Sequence, residues 1–123
     1  MGFITHFNDV LPYQTKDGSR IYELMHPAKQ KNQNQSLALA VISPGEKTKL
    51  HAHQKSEELY HIQSGTGDMF LGDDRFEIRP GDTICIRPGI PHCVENTGQS
   101  DLKILCCCAP AYDHGDTKIK DTI

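Results

Sequence analysis

Short apolar or alternating runs recur along the chain, each cut off by Gly, Pro or Asp. They read RIYEL (20–24), SLALAVI (36–42), LYHIQ (59–63), GDMFLG (67–72), RFEIR (75–79), TICIR (83–87), HCVEN (92–96) and LKILCCCA (102–109). Between them sit PGEK, GDD, RPGD, RPGIP and TGQSD, segments rich in the residues that turn a chain. Alternation with period two puts successive side chains on opposite faces of a strand. No segment sustains the 3.6-residue apolar period of an amphipathic helix. Many short strands at spacings of roughly 8–12 residues predict a sandwich or small barrel. The fold class read from the pattern is therefore all-β. The stretch KQKNQNQ (29–35) reads as a polar loop, and AYDHGDTKIKDTI (111–123) as an irregular tail.

Composition narrows the function classes. At 123 residues the chain fits one domain over residues 1–123, with a single core. Hydrophobic residues make up 37% and charged residues 24%, the balance of a folded globule. Net charge is −3 and no basic block occurs, so the electrostatic footprint of nucleic-acid or acidic-membrane binding is absent. No apolar run has the length of a signal peptide or a membrane span. His6 occupies the place where a myristoylation signal at Gly2 wants Ser or Thr. The expected location is cytoplasmic. The five cysteines agree with that. Cys106, Cys107 and Cys108 are consecutive, so neighbouring thiols point to opposite faces, and no paired CxxC spacing of a structural zinc site exists. They read as reduced, buried strand residues, and the Asn34-Gln35-Ser36 sequon carries no meaning in that compartment.

The chemistry concentrates in HAHQKSEELYHIQSG, residues 51–65. His51 and His53 stand two apart on a strand and share a face. The polar Gln54-Lys55-Ser56 predicts a turn or strand break. After it, Glu58, Tyr60 and Ile62 share one face, and Glu57, Leu59, His61 and Gln63 the other. Either glutamate is free to swing back toward the histidines. His92 follows the turn RPGIP, and strands of a small barrel converge on one interior point. Three imidazoles and one carboxylate suit one borderline divalent ion per chain, Fe, Mn, Ni, Co or Zn, rather than Ca or Mg. A six-coordinate ion there keeps two positions for water, substrate or O₂.

Two spaced motifs resemble the cupin family. The first runs Gly45, five residues, His51-Ala52-His53, four residues, Glu58, six residues, Gly65; the second runs Gly81, five residues, Arg87-Pro88-Gly89, two residues, His92, three residues, Asn96. Arg87 stands where the family usually has Pro, and the 15 residues between Gly65 and Gly81 match the minimal spacing of small cupins. The resemblance covers residues 36–110. It implies a double-stranded β-helix (jelly-roll) barrel, metal ligands His51, His53, Glu58 and His92, and a homodimer. The spacing to Gly65 favours Glu58 over Glu57. Gly45, Gly65, Gly81 and Gly89 read as turn glycines, and Asn96 as a residue closing a turn.

Substrate-binding candidates are Tyr60, on the face of Glu58; Arg87, as a clamp for a carboxylate or phosphate; and Cys107, if the parity of the last strand turns it inward. With the opposite parity Cys106 and Cys108 face in. His61 is expected to point away from the site. Tyr112 and His114 either cover the barrel mouth or lie exposed. Because one fold carries many functions, three readings stand. The first is a metal-dependent enzyme of dioxygenase, isomerase or lyase type on a small oxygenated metabolite. The others are a non-catalytic metabolite-binding or sensing module and a metal-stapled interaction protein. The absence of an appended DNA-binding segment argues against a one-chain regulator.

Overall fold

The structure, a computed structural model, describes residues 4–121. In chain order the strands are β1 (Tyr13–Gln14), β2 (Arg20–Met25), β3 (Ser36–Ile42), β4 (His51–His53), β5 (Glu57–Ser64) and β6 (Gly67–Leu71), then β7 (Asp74–Ile78), β8 (Thr83–Ile86), β9 (His92–Asn96), β10 (Leu102–Ala109) and β11 (Thr117–Ile119). One sheet has the order β1-β2-β3-β10-β5-β8 and the other β11-β4-β9-β6-β7. Their pairings are antiparallel. This is the double-stranded β-helix that the motifs imply.

All eight runs of the sequence reading are strands, and residues 29–35 carry neither helix nor strand. The C-terminal segment departs from expectation. It holds a short 3₁₀ turn at His114–Asp116 and then β11, which pairs residue for residue with β4. Three residues of strand give too short a pattern to show alternation, so the tail looked irregular.

The core lies between the sheets. Ile62, Leu102 and Ile104 from one sheet meet Met69, Ile78 and Val94 from the other, each at most 2% exposed. Burying each of these side chains contributes roughly 1.5–3 kcal/mol. In β5 the inward residues are Glu58, Tyr60 and Ile62, while Glu57, Leu59 and His61 face out; the alternation and the outward His61 agree with the sequence reading. Strand β10 settles the cysteine parity. Cys106 and Cys108 are buried inward, and Cys107 is half-buried on the outer face with its thiol toward Gln35. The candidate role of Cys107 at the substrate is thereby corrected. Lys103 is the one charged position of LKILCCCA and shares the outer face with Leu105 and Cys107, a single signal in an otherwise apolar strand.

Gly45, Gly65, Gly81 and Gly89 all have positive φ, as turn glycines do. Asn96 closes the β9–β10 turn. Its Nδ2 donates to the carbonyls of Ile42 and Ser100, both at 2.8 Å, and its Oδ1 accepts from Gly98 N at 2.9 Å. Asn96→Ala removes all three and leaves the Ile42 carbonyl without that donor inside the barrel. The expected loss is about 2–4 kcal/mol, read from a chemical denaturation midpoint; a loss below about 1 kcal/mol contradicts this account.

Candidate metal centre

Antiparallel pairing sets His51 of β4 directly opposite His92 of β9, and His53 follows two residues on along the same face. The rings cluster, with centroids 4.2 Å apart for His51–His92, 5.3 Å for His51–His53 and 5.4 Å for His53–His92. One ligand atom from each lies within 4.8 Å of the others, and all three residues are buried. Glu58 reaches the cluster from the facing sheet. Its Oε1 lies 3.1 Å from His53 Nε2 and 3.5 Å from His92 Nε2.

Hydrogen bonds on the far side of each ring fix which nitrogen points inward. His51 Nδ1 meets the carbonyl of Lys49 at 2.8 Å, and His92 Nδ1 that of Ile90 at 2.9 Å. A carbonyl only accepts, so both Nδ1 atoms carry protons. His53 Nδ1 meets Thr117 Oγ1 at 2.9 Å; that hydroxyl already donates to the Asp113 carbonyl, so it accepts from His53. In the neutral rings the Nε2 lone pairs therefore face the cluster centre. His92 Nε2 is fully buried and has no hydrogen-bond partner among the described residues. Such an orphan beside a carboxylate oxygen is unfavourable unless a cation stands between them. The donor set fits a divalent transition metal.

The electrostatics keep these donors in forms that could hold a cation. Burial and the nearby His92 push the His51 ring below its usual value, against a smaller upward pull from Asp17, so the ring is neutral at pH 7. Burial pushes the Glu58 carboxyl up, but the nearness of His53 and His92 outweighs it and brings it down to about 2. The Cys108 thiol, raised by burial and by Glu58, stays protonated and donates to Glu58 Oε2 at 3.2 Å. Tyr60 is likewise held as a neutral phenol by burial and by Glu58.

A family model described as "Cupin domain" matches residues 38–108. The chain belongs to the cupin family. It is 51% identical over 115 residues to an uncharacterized protein of Methanocaldococcus jannaschii, covering 94% of this chain and 92% of that one. An oxalate-binding protein of Thermotoga maritima is 32% identical over 83 residues, 68% of this chain and 64% of its own. Among solved structures, the Streptomyces nucleoside dehydratase Pac13 superposes with a TM-score of 0.80 at 14% identity, covering 100% of this chain and 94% of that one, a likeness of fold.

In this cupin the cluster opens onto an internal cavity of about 50 Å³, walled by His51, His53, Glu58, Tyr60, Cys106 and Tyr112 among others. At about 10–15 Å³ for each water-sized group, it holds a molecule of a few heavy atoms. Tyr60 sits on the wall as the sequence suggested, its ring edge-on to His92 with centroids 5.9 Å apart. Arg87 does not: it is exposed at the end of β8 and is absent from the cavity wall. Its turn has a structural task instead, since Gly89 N donates to the His53 carbonyl. Tyr112 lines the cavity while His114 is exposed, and the Tyr112 hydroxyl and His114 Nδ1 are 3.0 Å apart. The tail thus partly covers the mouth.

Three functional residues escaped the sequence reading. Thr117 props His53. Asp116 accepts from the backbone N–H groups of Lys55 and Ser56, fixing the turn that sends Glu58 back toward the histidines. Asp17, in the turn between β1 and β2, points Oδ2 at His51 Nε2, 3.5 Å away. Asp17-Gly18 carries the ordinary signature of a turn, which concealed it.

Proposed function

We propose that this cupin is a mononuclear divalent-metal enzyme acting on a small oxygenated metabolite, with His51, His53, Glu58 and His92 as the ligands. The observation that carries the reading is the buried Nε2 of His92, without a hydrogen-bond partner among the described residues, set beside two further inward lone pairs and a carboxylate. A bound Fe, Mn, Ni, Co or Zn ion supplies Lewis-acid polarisation of a substrate oxygen. The chain's own residues do the rest. Cys108 holds one oxygen of Glu58 in place, Tyr60 offers a neutral hydroxyl to the cavity, and Tyr112 narrows the mouth and limits water. The relatives' names point to oxalate and to a nucleoside, and the cavity has the size of the smaller. On the outer face of the six-stranded sheet, Leu37, Cys107, Leu59 and Cys85 pair in register as one row across four strands. Leu37 and Leu59 are 38% and 42% exposed, and this apolar row supports a homodimer joined through that sheet.

Protein purified without chelator is expected to carry about one transition-metal equivalent per chain by elemental mass spectrometry. Small hydroxy and keto compounds are then screened for turnover, before and after chelation. Turnover lost on chelation with the fold retained supports the enzyme. Binding without turnover favours the second reading, a metabolite-binding module, for which the name of the Thermotoga relative speaks. A chain that takes up no divalent metal defeats both.

A further inference from the structure

We propose that Asp17 makes this site select uncharged, oxygen-bearing ligands over carboxylates; the inference rests on the metal-binding reading above. Asp17 is built into the wall rather than hung from it. Its Oδ1 accepts from Thr15 Oγ1 at 2.6 Å, Ser19 N at 2.9 Å and Ser19 Oγ at 2.7 Å. Its backbone carbonyl accepts from Lys49 N at 2.7 Å, which ties the β1–β2 turn to the residues just before β4. These bonds leave Oδ2 as the atom facing His51 Nε2, with the Asp17 side chain only 13% exposed.

The charges around the cavity decide the ligand class. Its wall carries three carboxylates, Asp17, Glu23 and Glu58, and among the described residues no Lys or Arg lines it. Lys16 lies nearby, but its Nζ is turned to the backbone carbonyls of His114 and Thr117. Glu23 is 3.8 Å from the exposed Lys29. With neutral imidazoles, a divalent ion balances Glu58 and Asp17 and leaves no positive charge to receive an anion. A carboxylate ligand entering this space meets Asp17 as a like charge at short range, in surroundings that screen poorly. Thr15, Ser19, Ser36, Tyr60 and Tyr112 complete the wall, polar residues without charge that suit a hydroxy-carbonyl compound without net charge. The site therefore has the size for oxalate and the wrong charge for it.

The test uses the Co²⁺-loaded full chain and an isosteric pair, glycolate and glycolamide, followed by calorimetry and by the visible spectrum of the bound ion. Wild type is expected to prefer glycolamide. Asp17→Asn keeps the acceptor Oδ1 and its three donors, and is expected to move the glycolate-to-glycolamide affinity ratio by about tenfold or more toward glycolate. A wild type that prefers glycolate, or a ratio unchanged by D17N, overturns the inference while Co²⁺ binding still upholds the metal site. Loss of Co²⁺ from D17N also overturns it, because Asp17 would then be a ligand and not a selector. Failure of wild type to bind Co²⁺ overturns the metal reading and the inference together.

Discussion

His92→Ala is expected to weaken divalent-metal binding by at least about 100-fold, and Thr117→Val by about 10- to 100-fold. The two losses have different origins. His92 supplies one of three inward imidazole nitrogens, so its removal leaves a cluster of two imidazoles and a carboxylate. Thr117 touches no metal; its hydroxyl holds His53 by Nδ1. Valine keeps the shape but removes the acceptor, which leaves the buried His53 N–H without its partner and loosens the ring. Competition with a chromophoric chelator gives the affinities, and far-ultraviolet circular dichroism of the metal-free proteins shows that the strands persist. The ligand assignment fails if His92→Ala binds as tightly as wild type. The propping role fails if Thr117→Val does so.

Gly65→Ala is expected to destabilise the protein by about 3 kcal/mol or more, lowering Tm by roughly 10–20 °C. Two effects add there. Gly65 has φ +84°, where a side chain costs about 1–2 kcal/mol. An added Cβ would also stand 2.5 Å from the Asp101 carbonyl oxygen and 2.8 Å from Leu102 Cα, both backbone atoms that cannot step aside without moving the start of β10. Gly81 separates the two effects, because its φ is +97° but nothing lies within 4 Å of the added Cβ. Gly81→Ala should therefore lose only about 1–2 kcal/mol. Equal losses in thermal melts of the two variants would falsify the close-approach explanation.

The strands were legible because the two faces of each sheet differ: β5 alternates Glu58-in, His61-out so regularly that its pattern alone places Glu58 with Tyr60. The histidine pair was legible for the same reason, since residues two apart share a face. What the sequence concealed depends on contacts between distant segments. Asp17 matters because the β1–β2 turn folds down onto Lys49, and nothing in the local stretch TKDGS announces that. Thr117 and Asp116 matter because β11 lies against β4, sixty-odd residues away along the chain. Cys107 was ambiguous because only Lys103, at the far end of an otherwise apolar strand, marks which face is outside. Arg87 suggested a ligand clamp by being a cation near His92, but the turn that follows it is turned away from the cavity.

The supports of the three imidazoles differ in a way that bears on how such a site can change over generations. His51 and His92 lean on main-chain carbonyls, which every amino acid at positions 49 and 90 provides. His53 leans on a side-chain hydroxyl. Mutations at Lys49 and Ile90 are therefore nearly silent for the ring they support, whereas those at position 117 are heard at once. Natural selection could thus loosen or tighten the hold on the proposed ion through one codon, leaving the histidine cluster and the barrel as they are.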